Sequence, residues 1–293
     1  MVNVYWEALK GKWVLPQDTK PSFSGQTIII TGANVGLGLE AAVKFVDLGA
    51  NQVILAVRTL SKGEEAQRQI EQRTGRKGVC EVWQLDMMDY ASIKAFATRA
   101  TNELERVDIA CLNAGVAKME FKQSQYGYEE TLQVNVLSTT LLALLLMPKL
   151  RASKTAIFTP VLEIVGSSNH FMVTKLNSET EPLASYNTPK GFFAPTQYST
   201  SKLLLMYAET ALAQLAISKE TGKPDFFVTV VCPGATESQL GRDATAWYFR
   251  IAMAIFRFVM QRKTEEGART YISGVTQGEK MHGRFWKDDV IRE

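Results

Sequence analysis

Thr27-Ile-Ile-Ile-Thr31 runs straight into Gly32-Ala-Asn-Val-Gly36-Leu-Gly38. The first five residues are β-branched, a strand pattern, and Gly36 to Leu48 has helical spacing. The glycines therefore occupy a turn from strand into helix. Such a turn brings backbone N–H groups toward a pyrophosphate at the helix N-terminus, where Cβ atoms would obstruct the approach. Three glycines alone are a weak signal. A strand before them and a helix after them make it strong. Gly32, Asn34, Val35, Gly36, Leu37 and Gly38 are therefore candidate dinucleotide contacts.

The alternation continues outward from this turn. Strand patterns at Gln52–Val57, Cys80–Leu85 and Val107–Leu112 are separated by helical segments at Lys62–Arg73 and Tyr90–Leu104. A long apolar helix over Glu129–Leu150 precedes a strand near Ala156–Val165, and a helix over Gln197–Lys219 precedes the buried strand Phe226–Val231. Strands alternating with helices of this length imply βαβ units and right-handed crossovers. The expectation is an α/β fold: one Rossmann-type, doubly wound parallel sheet flanked by helices, spanning 1–293 as a single domain. Residues 1–22 read as an N-terminal extension. Residues 169–195 form a polar insertion with three prolines, and a loop of that length is expected to border a site.

Composition narrows the chemistry. The chain has 293 residues, a formal net charge of +3, two histidines and three cysteines. That balance, with no basic tail or stripe, excludes nucleic-acid binding argued from charge. His170 and His282 are too few for a histidine-based triad or a di-iron site, and no metal site is expected. Cys80, Cys111 and Cys232 are odd in number and lie in or beside apolar runs, as buried reduced thiols of a cytoplasmic protein would. No secretory h-region stands near the N-terminus, and Leu141–Pro148 is too short an apolar run to span a bilayer.

Further motifs follow in order. Asn113-Ala114-Gly115 ends the fourth strand, Asn135 lies in Val134-Asn-Val136, and Ser167-Ser168 ends the next strand. Tyr198-Ser-Thr-Ser-Lys202 and Pro233-Gly234 complete the series. With Thr31-Gly-x-x-x-Gly-x-Gly38, this set resembles the short-chain dehydrogenase/reductase family from about Phe23 to the C-terminus. Leu112 departs from the family's Asn-Asn-Ala-Gly element. The long gap from Ser168 to Tyr198 resembles the retinol-dehydrogenase-like branch, and most closely its fungal members. Phe23-Ser-Gly-Gln-Thr27, Thr264-Glu-Glu-Gly-Ala-Arg-Thr270 and His282-Gly-Arg-Phe285 carry the same likeness.

The resemblance implies a nicotinamide cofactor, and residue 58 bears on which one. An acidic residue there would accept hydrogen bonds from a ribose 2′-OH, whereas Arg58 suits a 2′-phosphate, with Lys62 adding a second positive charge. NADP(H) is therefore expected; a solvated loop charge is the alternative for Arg58. Asp86 resembles the family position that touches adenine, and could equally cap the next helix. Asn113, Ala114, Gly115, Pro233 and Gly234 complete the cofactor set, with Thr236 and Ser238 rivals for the contact to the nicotinamide carboxamide.

With histidine scarce, the acid–base group is Tyr198. Lys202 is four residues on, on the same helical face, and its ammonium favours the phenolate. By resemblance Tyr198 gives its proton to a carbonyl oxygen, Lys202 lowers the tyrosine pKa and bonds the nicotinamide ribose, and Ser168 holds the same oxygen. Asn135 positions a water of the proton relay, and Ser167 is the structural neighbour of the catalytic serine. His170 reads as a loop histidine bonded to backbone, with substrate contact the alternative; His282 reads as structural.

Residues 236–263 fall where family members build a substrate lid, and Ala244–Met260 is a strongly apolar helical pattern interrupted by Arg250 and Arg257. The two arginines argue against a spanning helix, and pocket or core packing is favoured over membrane or partner contact. Leu137–Leu146 and Leu203–Ile217 resemble helices that pair across a homodimer in the family, though packing on their own sheet explains the same pattern. The function implied is interconversion of a ketone or aldehyde and an alcohol on a bulky apolar substrate, in the reductive direction, within fungal secondary metabolism. A scaffold that binds NADP(H) and catalyses a non-redox cyclisation, or an NADPH-sensing binding protein, are the alternatives. Neither needs all of Ser168, Tyr198 and Lys202.

Overall fold

The computed structural model describes residues 11–178, 180–237 and 261–292. One eight-stranded sheet organises them, in the order β3-β2-β1-β4-β5-β6-β7-β8. The strands are β1 Thr27–Thr31, β2 Gln52–Val57, β3 Cys80–Gln84, β4 Ile109–Leu112, β5 Val161–Val165, β6 Phe227–Cys232, β7 Arg284–Lys287 and β8 Val290–Arg292. β1 to β7 pair in parallel, and β8 returns antiparallel along the β7 edge. The chain winds one way from β1 to β3 and then back past β1 to β4 and beyond. That reversal opens a crevice between the carboxyl ends of β1 and β4.

The helices are α1 Gly36–Asp47, α2 Leu60–Thr74, α3 Tyr90–Glu103, α4 Glu130–Ala152, α5 Pro182–Tyr186, α6 Ala194–Leu215 and α7 Thr264–Val275. Strand alternation sends successive side chains to opposite faces. Ile28 and Ile30 of β1 pack with Phe45 of α1, Ile70 of α2 and Tyr271 of α7. Ile29 faces the other way, into the cluster of Phe96 from α3, Leu142 and Leu146 from α4, and Leu205 and Leu212 from α6. Both faces of the sheet are thus covered, which is why β1, β2 and β4 read as nearly continuous apolar runs. Each such side chain removed from water contributes about 1.5–3 kcal/mol. α4 is long and apolar enough to cross a membrane, yet 67% of its apolar window is buried inside the fold.

Several boundaries differ from the sequence expectation. The fourth strand starts at Ile109, leaving Val107 and Asp108 outside it. The fifth starts only at Val161, after Pro160, which has no N–H to give a ladder. α6 starts three residues before Gln197, with Pro195 in its first turn where a missing N–H costs nothing, and stops at Leu215. α7, β7 and β8 went unread as elements. α4 carries a π turn over Gln133–Ser138, so it is not a uniform α-helix. The Ala244–Met260 pattern and nearly all of the 236–263 lid region lie outside the described residues.

Candidate active site

The glycine turn emerges from β1 as expected. Gly32 and Gly36 take φ of 66° and 58°, in the left-handed region that side chains avoid. Gly38 is excluded from carrying a Cβ for another reason: it would sit 2.5 Å from the Gly32 carbonyl oxygen and 2.6 Å from Asn113 Nδ2. The crowding is within the protein, between the start of α1 and the end of β4, so the glycine permits the crevice to form. Asn113 locks that junction. Its Nδ2 donates to the Thr31 carbonyl at 2.8 Å, and its Oδ1 accepts from the Tyr271 hydroxyl at 2.9 Å. Thr31 Oγ1 in turn accepts from the Ala114 N–H at 2.9 Å.

One groove of about 260 Å3 gathers Gly32, Asn34, Val35, Gly36, Leu37, Arg58, Lys62, Asp86, Asn113, Ala114 and Gly115. α1 begins at its wall with Val35 at the N-cap, no side chain capping the first turn and no acidic residue in it. The first N–H groups of α1 therefore keep their partial positive charge for a ligand. Arg58 and Lys62 are exposed at the groove's far end, without an ion pair among the described residues. Asp86 does not cap α3; Asp89 does, accepting from the Ala91 N–H, while Asp86 Oδ1 accepts from Met88 at 2.9 Å. An uncapped helix start, two cations and an acceptor along one groove fit a dinucleotide.

Leu37, Asn113 and Gly115 also line a larger cavity of about 760 Å3, which contains Ser167, Ser168, Tyr198, Lys202, Cys232, Pro233, Gly234 and Thr236. The 169–195 insertion borders it, through Met172, Lys175, Tyr186 and Phe193 among others. Lys202 is buried and donates to the Val165 carbonyl at 2.8 Å, which holds its ammonium at the end of β5. Its Nζ stands 5.8 Å from the Tyr198 ring centroid. Asn135 sits in the π turn of α4, a distortion often found at functional sites. Its amide accepts from the Val116 N–H, and donates to the Val116 carbonyl, both at 2.9 Å, and to Ser201 Oγ at 3.0 Å.

Both serines line the cavity with Tyr198. Ser167 Oγ accepts from the Asn169 N–H at 3.2 Å, and its hydroxyl is near enough to Tyr198 to favour the phenolate. Ser168 starts a 3-10 turn, with its Oγ 3.3 Å from Cys232 Sγ. β5 stops at Val165, and the tight turn after it gives the two hydroxyls different neighbours. The tyrosine–lysine pair departs from the expectation. Burial pushes the Tyr198 phenol up to about 12, the bond to Ser167 opposing it, and burial pulls the Lys202 ammonium down to about 8. Desolvation is the largest cause for both groups, and the lysine charge is not among the causes acting on the tyrosine.

A family model described as short chain dehydrogenase matches residues 26–161. The chain is 42% identical over 283 residues to the short-chain dehydrogenase/reductase phmF of Phaeosphaeria nodorum, covering 94% of this chain and 81% of that one. It is 41% identical over 294 residues to the short-chain dehydrogenase/reductase ffsI of Aspergillus flavipes, covering 99% and 84%. This chain belongs to the short-chain dehydrogenase/reductase family. Among solved structures, the Pseudomonas aeruginosa RhlG/NADP active-site complex superposes with a TM-score of 0.67 at 22% identity, over 90% of this chain and 94% of that one. That likeness bears on the fold.

As a short-chain dehydrogenase/reductase, the protein is an oxidoreductase of a nicotinamide-using family. Its three cysteines are free and buried. His170 Nδ1 lies 2.6 Å from the Ser167 carbonyl, and His282 lies between Ala213 O and the Val228 N–H, so both are backbone-bonded as read. Thr236 lines the cavity with its hydroxyl turned to the Pro233 carbonyl at 2.9 Å; Ser238 lies outside the described residues. Sequence reasoning missed Tyr271, Cys232 and Arg262 as cavity residues. Cys232 was legible from its place directly before Pro233-Gly234; Tyr271 and Arg262 sit in no motif.

Proposed function

We propose that this short-chain dehydrogenase/reductase uses NADP(H) to reduce the carbonyl of a bulky, largely apolar ketone or aldehyde to an alcohol. The observation that carries the reading is Tyr198, kept protonated by burial beside Ser168 and Lys202, in a cavity that shares its wall with the dinucleotide groove. A phenol raised to about 12 is fully protonated at neutral pH, the state that a proton donor needs. Tyr198 gives that proton to the carbonyl oxygen as the alcohol forms. Ser168 donates a second hydrogen bond to the same oxygen and stabilises its developing charge, with Ser167 beside the phenol. Lys202, held at the end of β5, supplies positive charge beside the phenolate left behind, and Asn135 braces the Val116 loop opposite it. The nicotinamide, when bound, supplies the hydride.

Arg58 and Lys62 support the phosphorylated dinucleotide: two cations just past β2 suit a 2′-phosphate, and Arg58 stands where an acidic residue would select a ribose hydroxyl. The apolar insertion residues Met172, Tyr186 and Phe193 and the cavity volume support a bulky substrate, such as an intermediate of fungal secondary metabolism. We place the enzyme in the cytoplasm as a homodimer, for which the exposed Leu144 of α4 and Tyr207 and Leu215 of α6 offer an apolar face.

The test is NADPH oxidation against a panel of bulky ketones. Tyr198→Phe is expected to lower kcat by about 100- to 10,000-fold with little change in NADPH affinity. Turnover of no carbonyl, or full activity in the phenylalanine variant, overturns the reading.

A further inference from the structure

Arg262 stands outside the catalytic set and every motif read above. It is 2% exposed, lines the larger cavity, and pairs through Nη2 with Asp288 Oδ1 at 2.7 Å in the turn between β7 and β8. Its Nε and Nη1 have no hydrogen-bond partner among the described residues. A guanidinium is always charged and carries five N–H donors in a planar fork, so an interior that satisfies one edge and leaves the other is unusual.

The location indicates what the free edge is for. Arg262 closes a backbone bridge around Thr236: its N–H donates to the Ala235 carbonyl at 2.9 Å, and its carbonyl accepts from the Glu237 N–H at 3.0 Å. The guanidinium lies against the Pro233-Gly234 turn, where a Cβ on Gly234 would stand 2.5 Å from Nη2. Thr236 in turn packs over Gly267 together with Leu37 Cδ2, for a Cβ on Gly267 would meet Thr236 Oγ1 at 2.6 Å and Leu37 at 3.0 Å. Leu37 belongs to the first turn of α1, whose N–H groups are uncapped. A half-satisfied guanidinium and an open helix N-terminus thus converge from opposite walls, through Thr236, on the space where the groove joins the cavity.

We propose that Arg262 binds the diphosphate of the dinucleotide, on its nicotinamide side, with the Nε and Nη1 edge of the fork. The inference rests on the dinucleotide reading above and adds to it a second phosphate-binding wall, supplied by the far end of the chain. Both free nitrogens are covered, so binding includes a small turn of the side chain into the cavity that it already lines. Asp288 keeps the guanidinium oriented through its other edge.

Calorimetric titration with two probes tests this. NADP+ carries the diphosphate and the nicotinamide; 2′,5′-ADP carries only the adenosine half. In an Arg262→Met/Asp288→Asn variant, which removes both partners of the ion pair, the Kd for NADP+ is expected to rise about 10- to 100-fold, as for loss of a charge-assisted bond. The Kd for 2′,5′-ADP stays within about twofold of wild type, given one unchanged anchoring site. Arg262→Lys keeps the charge without the fork and serves if the double variant does not fold; it should weaken NADP+ roughly threefold or more, with 2′,5′-ADP again unaffected. Unchanged NADP+ binding in the folded variants overturns the proposal, and so does an equal loss for both probes. If wild type binds NAD+ instead, NAD+ and AMP replace the probes and only the 2′-phosphate reading falls. Binding of neither dinucleotide by wild type overturns both.

Discussion

The groove beside β1 and β2 is lined mostly by short stretches at successive strand ends: within Gly32 to Leu37, Ala56 to Lys62, Leu85 to Met88 and Asn113 to Lys118, with Val134. The cavity beside β5 and β6 draws on side chains from Val165 to Lys287, brought together by tertiary packing. In the first region each function sits on one strand end and the helix after it, and backbone conformation does most of the work. In the second, a hydroxyl matters only if its turn aims it at the oxygen that Tyr198 serves. Local pattern can therefore specify the first region almost completely, while the second depends on where a chain already folded points its side chains.

The sharpest way to break that contrast is the serine pair, since its members are adjacent in sequence and differ only in aim. Ser168→Ala is expected to reduce kcat by about 100- to 1,000-fold, as for loss of one donor to a developing oxyanion, and Ser167→Ala by only a few-fold. The reverse order in steady-state kinetics would show that turn geometry, and not the sequence motif, identifies the acting serine. The groove is probed next by Arg58→Ala, which should weaken NADPH about tenfold or more and NADH hardly at all in fluorescence titrations. Equal losses would mean that Arg58 answers no 2′-phosphate.

A smaller effect, within the cavity alone, is read by pH. Lys202 loses its charge as pH rises through about 8, whereas Tyr198 keeps its proton to about 12. The profile of kcat/KM for NADPH should accordingly bend down near pH 8, and Lys202→Arg should move that bend upward at reduced activity. Stability follows with its own sign. The folded lysine pKa lies below the ordinary 10.5, so the unfolded chain binds the extra proton between about 8 and 10.5, and this group's contribution to stability rises with pH there. Tyr198 contributes oppositely, losing stability from 10 to about 12.

What could be read in advance follows the same division. β1, β2 and β4 are runs of β-branched or small apolar residues, and the glycine turn named its own neighbours. α7 escaped notice because Gly267 and Gly274 look like helix breakers. Each is there because a Cβ would collide, at Gly267 with Thr236 and at Gly274 with Val231 and Glu163. β7 is only Arg284-Phe-Trp-Lys287, with Trp286 and Lys287 both buried, so no alternation marks it. Ser168 was preferred to Ser167 by resemblance to a motif. The 3-10 turn that gives the two hydroxyls different neighbours carries contacts to Cys232 and His170 that no local pattern reports.

The π turn of α4 has an evolutionary consequence. Six residues, Gln133–Ser138, wind wider than α geometry, which amounts to one residue inserted into a regular helix. Deleting a single codon there would restore regular winding and leave Leu142 and Leu146 facing the core, because the bulge alone absorbs the extra residue. The same deletion would turn Asn135 away from Val116. The extra residue thus serves the site and not the packing of the fold.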